Sequence, residues 1–172
     1  MYHTSFGPTT EFRVAGHSDI ITVARMIFES YAPYIPIMGK IPPTIFEDFG
    51  DHIKHGNLWL LLYDQTIVGM VVLTPMDKHL LLQSMCVLPG YQGLGLGRSL
   101  LEFAELMAKA CYKGSIKLYT NSLMERNQKI YRKFGYRETY RTPYDWGHRV
   151  HMEKKVSRSK KSRFQYPANA FC

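Results

Sequence analysis

Cysteine is scarce in this chain, and its arrangement limits the chemistry that is available. The 172 residues include three cysteines, Cys86, Cys111 and Cys172, which are widely separated and form no C-x-x-C pair. Neither a disulfide framework nor a zinc site is therefore expected. The sequence predicts a functional site that contains no metal.

Long apolar runs are also missing. The longest uninterrupted apolar stretch, residues 58–63, is far shorter than the ~20 residues that a membrane-spanning helix requires. The first residues lack a basic segment followed by an apolar one, so no secretory signal is expected. Since 45% of the residues are apolar and 21% are charged, the composition is that of a globular chain. We expect a cytoplasmic protein that does not interact with membranes.

No acidic residue follows Glu153, so the positive charge of the chain is concentrated in the residues after it. The 22 basic and 14 acidic residues give a formal net charge of +8, but six of the basic residues follow Glu153. Residues 1–153 are therefore close to neutral. The sequence predicts a folded domain over residues 1–156 and a basic tail over 157–172, and it argues against a nucleic-acid-binding groove in the folded body.

The spacing of apolar residues predicts an α/β domain with a mostly antiparallel sheet of about six to seven strands and about four helices. Two helices are expected to start at capping boxes, at Thr44 and Ser122. Prolines and a glycine within residues 31–39 predict a loop. Two other segments with helical spacing are 20–31 and 96–111. Strand-like segments are 11–15, 58–64, 66–74, 79–88, 116–120, 136–142 and 149–156.

A glycine-rich turn, Gln92-Gly-Leu-Gly-Leu-Gly97, lies between a predicted strand and a predicted helix. Glycine allows a tight turn that exposes backbone N–H groups, and the start of a helix adds a partial positive charge. These properties predict a phosphate-binding turn, with a purely structural turn as the alternative. The dinucleotide fingerprint G-x-G-x-x-G does not match, because Arg98 or Leu100 occupies its last position, and no Gly-Lys-Ser/Thr of a P-loop follows.

Two motifs together resemble the GNAT superfamily of N-acetyltransferases. Gln92-x-x-Gly95-x-Gly97 resembles the family's Q/R-x-x-G-x-G/A motif, and residues 127–136 resemble its second signature, a helix with a tyrosine just before a Gly-aromatic stop. The resemblance spans roughly residues 10 to 155. It implies a single-domain GNAT-like fold in which one parallel strand pair splays to hold CoA. It also implies acetyl transfer from acetyl-CoA to a primary amine by direct attack.

The resemblance also implies roles for individual residues. Tyr131 matches the tyrosine that protonates the departing thiolate in many members, and a phenol with a pKa of ~10 keeps its proton at neutral pH. Residues 85–87 would hold the pantetheine arm, the N–H groups of residues 93–98 the pyrophosphate, and Gln92 would brace the turn. The predicted cofactor-binding residues are Met85, Cys86, Val87, Gln92, Gly93, Leu94, Gly95, Leu96, Gly97, Arg98 and Asn127. The cations that could meet outward phosphates are Arg98, Lys129, Arg132 and Lys133.

The chain departs from the family pattern at two places. The family commonly has Asn seven residues before the tyrosine, where this chain has Met124. Asn127 lies one helical turn before Tyr131 instead, and we predict that it hydrogen-bonds the cofactor. Many relatives carry a carboxylate on the strand before the glycine turn, but residues 80–88 contain none. The general base is left open among Glu29, Glu47, Asp48, His52 and His79, acting through water.

The acceptor amine is the least determined part of the prediction. Tyr31, Tyr34 and Met38 are expected to contact the acceptor, and residues 40–55 to shape its pocket. The sequence does not choose among a protein N-terminus, a polyamine and an antibiotic, and it permits a homodimer. Two other readings stay open: a module that binds nucleic acid or an acidic partner through the basic tail, and an acyl-CoA sensor without turnover.

Overall fold

Seven strands form one mixed sheet in the computed structural model, which describes residues 10–144 and 147–157. The strands are β1 (Thr10–Val14), β2 (Leu58–Tyr63), β3 (Thr66–Pro75), β4 (Leu80–Val87), β5 (Ser115–Asn121), β6 (Arg137–Tyr144) and β7 (Gly147–Lys155). Their order across the sheet is β1-β2-β3-β4-β5-β7-β6. Neighbours are antiparallel except β4 and β5, which are parallel. This confirms the predicted α/β fold with one parallel pair.

Helices cover both faces of the sheet. They are α1 (Ile20–Tyr31), α2 (Ile35–Met38), α3 (Gly50–Lys54), α4 (Leu96–Ala110) and α5 (Glu125–Lys133). Since side chains alternate along a strand, Leu58 and Leu60 of β2 pack in the core that contains α1, whereas Trp59 and Leu61 pack in the core that contains α4. The α4 core is the larger of the two, and the glycine turn and a short 3-10 turn, Pro89–Tyr91, connect the end of β4 to the start of α4.

The parallel strands separate soon after they meet. Their pairing is limited to Leu80 with Ile116, Leu81 with Lys117, and Leu82 with Leu118. Beyond these pairs, β4 runs on to Val87 and β5 to Asn121 without a register between them. The sheet therefore contains an opening between its two central strands, and the opening faces the glycine turn and the start of α4.

Residues 31–39 do not form the predicted loop. A 3-10 turn at Ala32–Tyr34 and the single turn α2 continue the path of α1. Pro33 and Pro36 lie in the first turns of these short helices, where the missing N–H costs no intrahelical hydrogen bond. Gly39 ends α2 with a φ of +66°. The prolines thus start new turns here rather than excluding helical structure.

Neither predicted capping box forms. Thr44 lies within a 3-10 turn, Pro43–Phe46, and α3 begins only at Gly50. Met124 is the N-cap residue of α5, and the Ser122 hydroxyl accepts a hydrogen bond from the backbone N–H of His148 at 3.0 Å. The local motif predicted that the Ser122 side chain caps the helix, but this side chain makes a tertiary contact to β7 instead.

The cysteines differ from one another in state. Cys86 is a buried free thiol, and burial raises its pKa to about 12. Cys111 is disulfide-bonded, so a disulfide does form, which the wide separation of the cysteines in the sequence did not indicate. No helix within residues 10–144 and 147–157 is long and apolar enough to cross a membrane. The predicted basic tail lies outside the described residues from 158 onward.

The Asp19 side chain links the end of β1 to the start of α1 through hydrogen bonds. Its carboxylate accepts hydrogen bonds from Arg13 Nη1 at 2.7 Å and Nη2 at 2.8 Å, and from the backbone N–H of Gly16 at 2.8 Å. The Asp19 side chain is 11% exposed. The Arg13 guanidinium holds the pKa of Asp19 below its ordinary value. The ion pair therefore contributes to folding only while the carboxyl is ionised.

Replacing Asp19 by asparagine is expected to lower the free energy of unfolding by about 1–3 kcal/mol at pH 7, since charge-assisted hydrogen bonds are lost. A pKa that is lower in the folded than in the unfolded state stabilises the protein above about pH 4, the unfolded value, and this contribution disappears as the pH falls through the folded value. Urea denaturation at pH 7 and at low pH measures the difference, which should shrink in acid.

Glu138→Gln is the matched control for that measurement. Glu138 pairs with Arg141 at 2.6 Å and with Arg132 at 3.2 Å on an exposed strand. Exposed ion pairs contribute about 1 kcal/mol or less. If Asp19→Asn lost no more stability than Glu138→Gln, or lost the same amount in acid as at pH 7, the proposed role of the Asp19 carboxylate would be wrong.

Candidate functional site

Two adjoining cavities lie at the opening of the sheet. The first, of about 340 Å³, is enclosed by the end of β4, the glycine turn and α5. The second, of about 360 Å³, lies between β4, β5 and residues 42–47. Four residues line both cavities: Tyr31, Met85, Asn127 and Tyr131. A group bound in one cavity can therefore meet a group bound in the other at this shared wall.

The glycine turn leaves room beside its backbone. Gly93 and Gly95 have φ values of +87° and +81°, which glycine adopts without strain, and Gly95 is the N-cap residue of α4. A Cβ atom added at Gly93, Gly95 or Gly97 would meet no other atom within 4 Å. The first turn of a helix also has N–H groups without intrahelical partners and a partial positive charge, although the N–H of Arg98, which was predicted to bind the pyrophosphate, donates to the Gly95 carbonyl at 2.9 Å. The turn therefore fits an anion such as a diphosphate.

Gln92 links this turn to its surroundings. Its Nε2 donates to the backbone oxygen of Val87 at 3.1 Å, and its Oε1 accepts from Arg126 Nη1 at 3.2 Å. The first contact connects the turn to the last residue of β4. The second brings a cation, Arg126, to the wall of the first cavity beside Arg98. Two guanidinium groups thus stand near the turn where an anion would bind.

The sequence-predicted cofactor residues are distributed unevenly around the first cavity. Leu94 does not line it and is 57% exposed, and the Leu96 side chain packs in the core. Among the predicted cations only Arg98 lines the cavity, and it also pairs with Glu102 at 2.8 Å; Arg132 pairs with Glu138 away from the cavity. The predicted residues that line the first cavity are Met85, Cys86, Val87, Gln92, Gly93, Gly95, Gly97, Arg98 and Asn127. The glycine turn and the end of β4 therefore face the same space.

Tyr131 is held where the two cavities meet. Its side chain belongs to a helix face that packs on the core, it is 8% exposed, and its ring lies edge-on to Tyr136 with 5.9 Å between centroids. Burial raises the pKa of the Tyr131 hydroxyl above its ordinary value, with Tyr34 contributing further. The hydroxyl therefore keeps its proton through the neutral and mildly alkaline range, as a proton donor must.

Asn127 and Met124 form a small polar network beside Tyr131. The Asn127 Oδ1 accepts from the Tyr34 hydroxyl at 3.3 Å, and its Nδ2 lies 3.6 Å from the Met124 sulfur. The Met124 sulfur also accepts from Thr120 Oγ1 at 3.7 Å. Met124 is buried and occupies the position where the family pattern has asparagine. The amide of Asn127, one turn later, is the group that faces both cavities.

Glu47 is the base candidate that reaches the site. It lines the second cavity, and its carboxylate accepts from His52 Nε2 at 3.2 Å. Burial raises the pKa of Tyr31, and Cys86, Tyr131 and Glu47 raise it further, so the Glu47 carboxylate lies close enough to the shared wall to influence it. The other candidates, Glu29, Asp48, His52 and His79, line neither cavity.

Sequence reasoning missed the far wall of the second cavity. Arg149 of β7 lies opposite Asn121 of β5 in the sheet register. Its guanidinium carbon is 4.8 Å from the ring centroid of Tyr119 and 4.7 Å from that of Tyr144. All four residues line the cavity. No local motif marks them, because only the pairing of β5 with β7 and β6 brings them together.

The comparisons with known proteins agree with this geometry. A model of the acetyltransferase (GNAT) domain matches residues 54–138. The PaiA N-acetyltransferase from Thermoplasma acidophilum, in complex with coenzyme A, has a TM-score of 0.74 at 19% identity, over 87% of this chain and 100% of that chain. A search of curated proteins finds no match.

Two further solved structures share the fold. The ribosomal-protein-S18-alanine N-acetyltransferase from Escherichia coli has a TM-score of 0.69 at 14% identity, over 91% of this chain and 99% of that chain. Arabidopsis thaliana Naa50, in complex with a bisubstrate analogue, has a TM-score of 0.65 at 18% identity, over 86% and 99% of the two chains. At these identities the likeness concerns the fold.

Proposed function

The chain belongs to the GNAT superfamily of acetyltransferases, and from this premise we propose that it transfers an acetyl group from acetyl-CoA to a primary amine. One observation carries the proposal: Tyr131, a buried proton donor, lies on the wall shared by two cavities. One of these cavities ends in an anion-binding turn, and the other is open to a second reactant. Acyl transfer needs this arrangement, because donor and acceptor must meet at one proton source.

The first cavity is the proposed place of the cofactor. The backbone of residues 85–87 would hold the pantetheine arm along the unpaired side of β4. The N–H groups of the glycine turn would hold the pyrophosphate, with Arg98 and Arg126 beside it. Bound acetyl-CoA supplies a thioester carbonyl carbon that an amine can attack. Structural neighbours bound to coenzyme A and to a CoA bisubstrate analogue support this assignment.

Tyr131 is the proposed general acid. As the amine nitrogen forms its bond to the carbonyl carbon, the carbon–sulfur bond breaks and the Tyr131 hydroxyl donates its proton to the sulfur. The amine loses one proton, which passes to a carboxylate or to water, and Tyr131 regains a proton from solvent. Glu47 is the carboxylate best placed to receive the amine proton, since it lines the second cavity.

An acetyl-acceptor panel with detection of free thiol tests the proposal. The panel contains peptide N-termini, polyamines, amino acids and aminoglycosides. We expect acetyl-CoA binding by calorimetry, and release of CoA thiol that requires an amine and produces an acetylated amine by mass spectrometry. Absence of acetyl-CoA binding would contradict the proposal. Binding without amine-dependent release across every class would identify a sensor rather than an enzyme.

A further inference from the structure

Within the part of the chain that the structure describes, the second cavity is lined by one charge of each sign. The two charged lining residues are Glu47 and Arg149. Glu47 belongs to the segment before α3, and Arg149 belongs to β7, so they stand on different walls. The remaining lining consists of aromatic, amide, hydroxyl and apolar side chains. A ligand that satisfies both charges must itself carry a cation and an anion.

Arg149 is oriented as a binding group. Its guanidinium carbon lies 4.8 Å from the ring centroid of Tyr119 and 4.7 Å from that of Tyr144, and these cation–π contacts restrict the orientation of the guanidinium. Within residues 10–144 and 147–157, no carboxylate forms an ion pair with Arg149. The Arg149 guanidinium therefore presents its N–H donors at the cavity wall, where a carboxylate can accept two parallel hydrogen bonds.

Glu47 lines the second cavity together with Pro42, Pro43, Thr44 and Phe46 of the same segment. It acts on the pKa of Tyr31, and Tyr31 and Tyr131 line the same shared wall. Arg149 instead stands among Tyr119, Tyr144 and Asn121, which line the second cavity alone. An amine near Glu47 and Tyr131 would thus have its anionic group directed toward Arg149.

We propose that the acceptor is a small amine that carries one carboxylate, which Arg149 binds while Glu47 receives the ammonium group. This inference rests on the proposed acetyl transfer. A cavity of about 360 Å³ is at the lower end of the range for small-molecule sites. Arg149, the single lining cation of the described residues, matches a singly charged carboxylate better than a phosphate dianion. Arg149 is then a specificity-determining residue of the acceptor site.

The test compares ω-amino carboxylates of increasing chain length with the corresponding ω-amino amides, which lack the negative charge, and with ω-amino phosphonates. We expect kcat/KM for the best carboxylate to exceed that for its amide by about tenfold or more, as a charge-assisted bidentate contact would give. Arg149→Gln should lower kcat/KM for the carboxylate by about tenfold and so abolish this preference. Arg149→Lys should restore part of the preference.

Arg141→Gln is the matched control, because Arg141 is an exposed arginine on β6 that pairs with Glu138 and lines neither cavity. It should keep the full carboxylate preference. Thermal melting of each variant confirms folding, and saturation-transfer NMR measures binding of each amine to the CoA-loaded protein independently of turnover.

The outcomes separate the inference from the proposed function. If acetyl-CoA binds and some amine is acetylated, but carboxylates show no advantage, phosphonates are preferred, or the preference persists in Arg149→Gln, the acceptor inference is wrong and the acetyl transfer stands. If no carboxylate binds or reacts at millimolar concentration, the inference is equally wrong. If acetyl-CoA does not bind, both fail together.

Discussion

Replacing Tyr131 by phenylalanine is expected to lower kcat for acetyl transfer by about 100-fold to 10,000-fold, the range that a general acid contributes. The substitution removes one hydroxyl from a ring that is buried against Tyr136, so the packing of the ring should persist. The affinity for acetyl-CoA should stay within about twofold, because the hydroxyl is proposed to act on the sulfur only as the thiolate forms. Steady-state kinetics and calorimetry measure the two effects separately.

The pH profile distinguishes this role from a structural one. Burial raises the pKa of Tyr131, so the wild-type rate should not fall through tyrosine ionisation below about pH 10. The rate should instead rise with pH, because a lysine-like amine with a pKa of ~10.4 must lose its proton before it attacks. Equal kcat in the wild type and Tyr131→Phe would remove Tyr131 from the chemistry. A parallel loss of acetyl-CoA affinity would indicate a packing role.

Replacing Gly97 by glutamate is expected to weaken acetyl-CoA binding by about 100-fold or more. Gly97 lines the first cavity in the first turn of α4, and a Cβ atom there meets no other atom within 4 Å. The new carboxylate would share this space with the pyrophosphate, and two like charges about 4 Å apart repel by ~4 kcal/mol at an effective dielectric constant of 20. Calorimetric titration with acetyl-CoA measures the loss.

Two control variants test the cause of this loss. One tests whether the added charge rather than the added bulk weakens binding, and the other tests whether the charge must lie at residue 97. Gly97→Gln has the same bulk without the charge and should lose much less affinity than Gly97→Glu. Gly90→Glu places a carboxylate at a nearby exposed glycine that has open space around it but lines neither cavity, and it should bind acetyl-CoA almost normally. Equal affinities for wild type and Gly97→Glu would show that the glycine turn does not hold the cofactor.

The parts of the fold that depend on local pattern could be predicted from the sequence. Strand-like segments between turn residues predicted all seven strands of the described chain to within a few residues, including β6, none of whose residues is buried. The glycine turn was identifiable because positive φ at Gly93 and Gly95 is a local requirement that the sequence shows directly. The position of Tyr131 followed from its motif, and the structure brings it to the wall of both cavities.

The parts that depend on tertiary contacts could not be predicted. Ser122 has the spacing of a helix cap, yet its hydroxyl accepts from His148, 26 positions away in the chain. Pro33 and Pro36 begin short helical turns, which composition alone does not separate from a loop. Arg149 reaches the second cavity only because β5 pairs with β7. These features depend on which elements become neighbours, and single-residue patterns carry no such information.

The short pairing of β4 with β5 has a thermodynamic consequence. Beyond Leu82 and Leu118, β4 and β5 no longer pair with each other. Their facing backbones resemble the edge strands of a sheet, although these strands lie at its centre. An extended ligand with amide groups would complete this interior edge. Since a ligand that binds only the folded state adds about 2.7 kcal/mol of stability at 100 times its dissociation constant, cofactor supply would set the thermal tolerance of the protein as well as its turnover.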